Sequence, residues 1–177
     1  MIFHATKLPG AFLIELERKE DERGFFARAW CENEFAEHHL EGKIVQCNIS
    51  FNKKRGTLRG MHFQSHPHAE TKVIRCTRGS IYDVIVDLRP ESPQYKQYLS
   101  VILSAEARSM LYIPKGFAHG FQTLEDETEV FYYMSEHYAP HAAKGFRWND
   151  PAFKISWPDA MRIISEKDCS YPDFDAE

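Results

Sequence analysis

The chain predicts an all-β fold, a β-sandwich or closed barrel, and three features of the sequence carry that prediction. Short apolar runs recur roughly every ten residues between turn signals built from Gly, Pro, Asn, Asp and Ser. Within the runs, apolar side chains follow a period of two rather than helical spacing. Helical patterning is almost absent, so strands must supply the core.

Taken in order, a first strand is expected at 12–17 after Pro9 and Gly10, and a second at 25–30 after the charged turn 19–23 and Gly24. Residues 32–40, with Phe35 and Leu40 among charges, suit one short helix, and strand character resumes at 44–51. After the turn at Lys53, Lys54, Arg55 and Gly56, strands are expected at 57–64 and 71–77, with Arg78 and Gly79 as the corner before 80–88. There Tyr82, Val84, Val86 and Leu88 alternate with Ile81, Asp83, Ile85 and Asp87. Both faces carry apolar groups, which fits a sheet covered on both sides. Further strands are expected at 98–103, 110–113, 119–123 and 129–134. From Pro140 onward, Trp148, Pro151, Trp157 and Pro158 mark an irregular wrap that ends in a short helical segment near 159–167.

With 177 residues, one domain around one core is expected, without linker or repeat. The net charge of -4 and the lack of a long Lys/Arg run speak against nucleic acid as a partner and leave a small anionic molecule. Cys31, Cys47, Cys76 and Cys169 are scattered, with no disulfide or zinc spacing, and read as reduced thiols. No apolar run approaches the roughly 20 residues that cross a bilayer, and the first residues lack a signal-peptide pattern, so no membrane and a cytoplasmic location are expected.

The chemistry concentrates between Arg55 and Gly79 and is answered by I-P-K-G-F-A-H-G-F from Ile113 to Phe121. An imidazole, a guanidinium and an ammonium fall close together there on predicted strands. The runs D-E-R-G-F-F, L-R-G-M-H-F-Q, K-V-I-R-C-T-R-G, D-V-I-V-D-L-R, I-P-K-G-F-A-H-G-F, W-N-D-P and S-E-K-D, in this order along the chain, resemble the dTDP-4-dehydrorhamnose 3,5-epimerase family of the cupin superfamily. The resemblance implies a cupin-type jelly-roll β-barrel with a few short peripheral helices. It also implies a homodimer that exchanges N-terminal strands, and no metal or cofactor. The activity implied is inversion of carbon 3, and in some members also carbon 5, of a nucleoside-diphosphate-4-keto-6-deoxyhexose, in the synthesis of deoxysugars for O-antigen or similar glycans.

Such a reaction needs a base, a stabiliser for the enolate and an acid on the opposite face. By resemblance His62 is the base, Asp168 holds its tautomer, Lys72 lies beside the ketone and Tyr132 is the acid. A lone strand His is more often structural, and its L-R-G-M-H-F-Q setting is what turns the reading. The resemblance also makes Arg23, Arg59 and Lys167 contacts for the diphosphate and nucleotide, and places Gln46, Asn48, His119 and Tyr138 around the ligand. Asp83 is expected to support a buried cation or His. Arg59 and His62 are three apart and would point to opposite faces of a regular strand, so both reach one pocket only if pairing is irregular at Gly60.

Two departures stand out. Arg28 replaces a Glu usual in the family, and Ala143 replaces a second acid. Cytosine presents acceptors that a guanidinium can meet, so the change opens a CDP-linked sugar beside a dTDP-linked one, the alternative being that Arg28 points to solvent or to the diphosphate. Two rival readings are kept. One is a metal-dependent cupin enzyme using His66, His68, Glu70 and His119, although Glu70 follows the H-x-H pair one residue too soon. The other is a cupin that binds a sugar nucleotide without acting on it, or an isomerase of the same scaffold that moves the ketone from carbon 4 to carbon 3.

Overall fold

The computed structural model describes residues 1–160 and 163–174. Two antiparallel sheets pack face to face. The six-stranded sheet runs, in spatial order, β1 (Ile2–Ala5), β2 (Phe12–Glu15), β10 (Met110–Ile113), β7 (Lys72–Arg78), β12 (Thr128–Met134) and β5 (Gln46–Asn52). The five-stranded sheet runs β13 (Ala143–Gly145), β6 (Leu58–Gln64), β11 (Phe117–Thr123), β8 (Ser80–Asp87) and β9 (Tyr98–Ser104). This is the jelly-roll arrangement expected from the motifs. Two short helices, α1 (Glu32–Glu37) and α2 (Glu166–Ser170), lie outside the sheets. Among the described residues, no helix is long and apolar enough to cross a membrane.

The period-two pattern decides which side chains meet. Ile74, Leu111 and Val130 from one sheet close on Ile81, Ile85, Leu103 and Phe121 from the other. Burying each such side chain contributes roughly 2 kcal/mol. The alternate residues of β8, Val84 and Val86, face the other way and are covered by Phe146, Phe153 and Trp157 of the tail. That double covering explains why β8 is apolar on both faces. On the far side of the six-stranded sheet, Ile14, Val73, Met110 and Tyr112 pack with Phe35 of α1.

Several boundaries differ from expectation. β1 and β13 were not anticipated, because each is only a few residues long and lies at a sheet edge, where polar residues are tolerated. Residues 25–30 do not form one strand. The charged segment read as a turn is β3 (Lys19–Asp21), which pairs with β4 (Gly24–Phe26) as a separate hairpin. Phe25 is held there between the guanidinium groups of Arg18 and Arg108, at 5.1 and 4.9 Å from its ring centre. The final helix starts at Glu166 rather than near 159, because the Ser165 side chain accepts a hydrogen bond from the Asp168 N–H and so caps it. Residues 161 and 162 of that expected segment lie outside the described residues.

The irregularity at Gly60 is present. On β6, Arg59 is opposite Phe121 and His62 is opposite His119, so Gly60 and Met61 together face Gly120. One extra residue on β6 restores Arg59 and His62 to the same face while Leu58 and Met61 fill the outer core. Gly60 has φ +127°, and a Cβ there would lie 2.5 Å from the Gly120 Cα and 3.0 Å from the His119 carbonyl oxygen. Gly60→Ala is therefore expected to lower stability by about 2 kcal/mol or more. Urea denaturation would show it, and an unchanged midpoint would refute the packing account.

Candidate active site

Between the sheets lies a cavity of about 470 Å³. β6 and β11 of the five-stranded sheet contribute Arg59, His62 and His119 to one wall, while Gln46 and Asn48 of β5, Lys72 of β7 and Tyr132 of β12 come from the six-stranded sheet. Tyr138, after β12, and Lys167, on α2, complete the expected residues found in the lining. His62 and Tyr132 thus stand on facing layers, which gives the cavity two chemically different sides.

The strand β5 shows how the sequence builds this wall. Gln46, Asn48 and Ser50 turn inward, and the alternate Cys47, Ile49 and Phe51 turn out. The usual pattern of apolar-in and polar-out is reversed, because what this strand faces is a polar cavity rather than the core.

His62 Nε2 lies 2.7 Å from Asp168 Oδ1, and the other carboxylate oxygen accepts from the Gly60 N–H at 3.4 Å. Burial acts to raise the pKa of Asp168, but hydrogen bonding to His62 and the charge attraction between them outweigh it and hold the group below the usual carboxylate range. With Asp168 ionised, the imidazole nitrogen facing it carries the proton, and the other nitrogen can accept one.

Lys72 Nζ lies 2.9 Å from Glu70 Oε1, with both side chains almost wholly buried, and 3.5 Å from the His62 carbonyl oxygen. Glu70 Oε2 accepts from the Gln64 N–H at 3.1 Å, and the Gln64 amide in turn ties Ala139 and His68. The ammonium is therefore held by a hydrogen-bonded carboxylate, as a buried charge requires. Burial raises the Tyr132 phenol above its ordinary pKa, with nearby Arg59 acting against it, so Tyr132 keeps its proton at neutral pH. Arg59 is oriented by a 2.8 Å bond from its Nε to Asn52 Oδ1. His119 Nε2 sits 2.6 Å from Asp83 Oδ1, so Asp83 supports a His as expected, from a fully buried position.

Asp168 stands behind His62 rather than in the lining, and two of the residues expected to contact the ligand do not reach this cavity. Arg23 is 88% exposed at the tip of the β3–β4 hairpin and pairs with Asp21. Arg28 pairs with Glu34 at 2.8 Å beside a separate cavity of about 280 Å³ that Met1 and Glu17 also line. Arg28 is therefore absent from the lining of the main cavity, and the argument from its charge to cytosine is not supported. The metal reading also fails on geometry: His66 is exposed, His68 packs edge-on against His141, and Glu70 is engaged by Lys72. Among the described residues no three His, Cys, Asp or Glu side chains converge as a metal ion would need.

The cavity also holds residues that the sequence reading passed over. Ser50 continues the i, i+2 series of Gln46 and Asn48 and was open to the same argument. Glu70 and Lys72, also two apart, could have been paired in the same way. Tyr171 carries no local signal, since only the path of the C-terminal segment brings it to the cavity.

With this geometry in view, comparison with known proteins is direct. The family model described as dTDP-4-dehydrorhamnose 3,5-epimerase matches residues 5–176. A protein of that name from Methanothermobacter thermautotrophicus is 46% identical over 169 residues, covering 94% of this chain and 90% of the relative. The crystal structure of the Bacillus anthracis dTDP-4-dehydrorhamnose 3,5-epimerase, with TDP and PPi bound, superposes with a TM-score of 0.94 at 41% identity, covering 98% of this chain and 99% of that one. The Legionella pneumophila dTDP-6-deoxy-D-glucose-3,5-epimerase, in complex with dTDP-4-keto-L-rhamnose, gives 0.89 at 31% identity and covers 99% of both chains. The chain belongs to the dTDP-4-dehydrorhamnose 3,5-epimerase family of isomerases.

Proposed function

We propose that the protein inverts carbon 3 and carbon 5 of a dTDP-linked 4-keto-6-deoxyhexose in deoxysugar biosynthesis. The observation that carries this reading is the placing of His62 and Tyr132 on facing walls of one cavity, with the Lys72 ammonium lining it as well. Thymine replaces the cytosine argued from Arg28, because relatives across the whole chain are named for dTDP sugars and one holds TDP.

In this mechanism His62 takes the proton from the carbon beside the ketone, and the bonding pair moves into the ring as the carbonyl oxygen becomes an enolate. Lys72 stabilises that oxygen, already held in place by Glu70 and needing no rearrangement. Tyr132 returns a proton to the same carbon from the other side, which inverts it. Asp168 keeps the imidazole in the accepting tautomer and favours the imidazolium that forms. Arg59 and Lys167 meet the diphosphate, with Gln46, Asn48, His119 and Tyr138 placing sugar and base.

The homodimer belongs to the same proposal. Ile49 is 63% exposed on the outer face of β5, Phe51 is half-exposed beside it, and Phe26 is 71% exposed on the hairpin. A second copy would cover these groups, and exchange of N-terminal strands would carry Arg23 and Arg28 towards a neighbouring cavity.

Three measurements test this. His62→Ala and Tyr132→Phe should each lower turnover at least about a hundredfold while TDP binding is kept and exceeds CDP binding. Unaltered turnover in both variants would remove the assignment. Asp168 ionises more readily in the folded chain than in the unfolded one, so its stabilising effect is complete above about pH 4 and is lost as pH falls through the lower folded value. Urea midpoints taken from about pH 6 down to pH 2 should therefore drop less for Asp168→Asn than for the wild type. Sedimentation should report a dimer that Ile49→Glu dissociates, and a wild-type monomer at micromolar concentration would refute the pairing.

A further inference from the structure

The inward-facing series on β5, Gln46, Asn48 and Ser50, has one more member. Asn52 follows at the same spacing, but it stands outside the cavity lining and is only 2% exposed, where burial ordinarily calls for an apolar side chain. Its amide is satisfied there. Nδ2 donates to the Ser50 carbonyl oxygen at 3.1 Å and to the Thr128 carbonyl oxygen of β12 at 3.2 Å. Two backbone acceptors on the nitrogen side settle which way the amide faces, since only its nitrogen can donate. Oδ1 is left to accept, and it does so from Arg59 Nε at 2.8 Å.

A guanidinium carries five N–H donors, one on Nε and four on the two Nη atoms. Asn52 takes the first, and among the described residues the other four meet no hydrogen-bond acceptor. Arg59 itself is exposed and lines the cavity. The group is thus held by its Nε edge and offers its Nη fork, the arrangement that meets paired phosphate oxygens. The holding group is also neutral. Lys72, His62 and His119 are each matched by a carboxylate, from Glu70, Asp168 and Asp83, whereas the amide of Asn52 leaves the charge of Arg59 uncompensated.

We propose that Asn52 is a positioning residue of this site, which holds the Arg59 guanidinium for the diphosphate without neutralising it. The inference deepens the epimerase reading and rests on it for the ligand. A carboxylate at position 52 would hold the group equally well but cancel much of its charge. A side chain with no acceptor would leave the fork to be ordered at the moment of binding.

Asn52→Ala in the full chain should weaken TDP binding and raise KM about three- to tenfold, with kcat changed less than about twofold. Thymidine, which lacks the diphosphate, should bind this variant as it binds the wild type. Asn52→Asp should weaken TDP binding at least as much as Asn52→Ala, although it keeps the acceptor. In an Arg59→Ala background, Asn52→Ala should have no further effect on TDP affinity. If Asn52→Ala does not fold, Asn52→Ser keeps a polar group for the backbone but ends one atom short of Arg59, and should show the same loss. The proposal is overturned if Asn52→Ala or Asn52→Asp binds TDP as the wild type does, or if Asn52→Ala weakens TDP binding equally with and without Arg59. Wild-type protein that binds TDP but exchanges no sugar hydrogen would instead refute the epimerase reading, and the coupling of Asn52 to Arg59 would still be read from TDP binding.

Discussion

A single hydrogen bond, 2.7 Å from His62 Nε2 to Asp168 Oδ1, ties the centre of β6 to the C-terminal segment, and most of what surrounds the cavity depends on it. Asp168 is almost wholly buried, so its charge needs partners, and the imidazole and the Gly60 N–H supply them. In return the carboxylate holds α2 against the bulge of β6. Loss of that contact would release Lys167 and Tyr171 together with Asp168, because all three lie on the same short stretch of chain.

The cavity contains more charge than an ordinary interior tolerates. Lys72 is matched by Glu70, His119 by Asp83, and His62 by Asp168, each over less than 3 Å. Such pairs add little net stability, since desolvation consumes most of the attraction, but removing one member leaves its partner buried and alone. Their value here is positional. Each group is oriented by the fold rather than by the ligand, so its electrostatic effect needs no rearrangement.

How much of this was legible in the sequence varied with the physical cause. β8 could be read because apolar residues on both faces have one simple explanation, a cover on each side, and the tail supplies the second cover. The bulge at Gly60 was legible as a conflict between spacing and chemistry, since Arg59 and His62 could not otherwise share a face. β1 and β13 were not legible, as strands this short are defined by what they pair with rather than by their own pattern. Glu70 was weighed as a metal ligand beside the H-x-H pair, although its i, i+2 spacing to Lys72 already allowed the ion pair that forms. Tyr171 lay beyond sequence reasoning, since its neighbours Gly145 and His62 come from other strands. Arg23 and Arg28 were placed by resemblance, and the fold of the chain leaves both of them outside the cavity.

His62 and Tyr132 stand on separate layers, so no covalent path of fixed length sets the gap between them. That spacing is set by the side chains that fill the interior, Ile85, Leu111 and Val130 among them. Interiors are packed almost as densely as crystals, and a gap held in this way resists compression. A methylene trimmed from one of those distant residues would act on the width of the cavity without touching any group inside it.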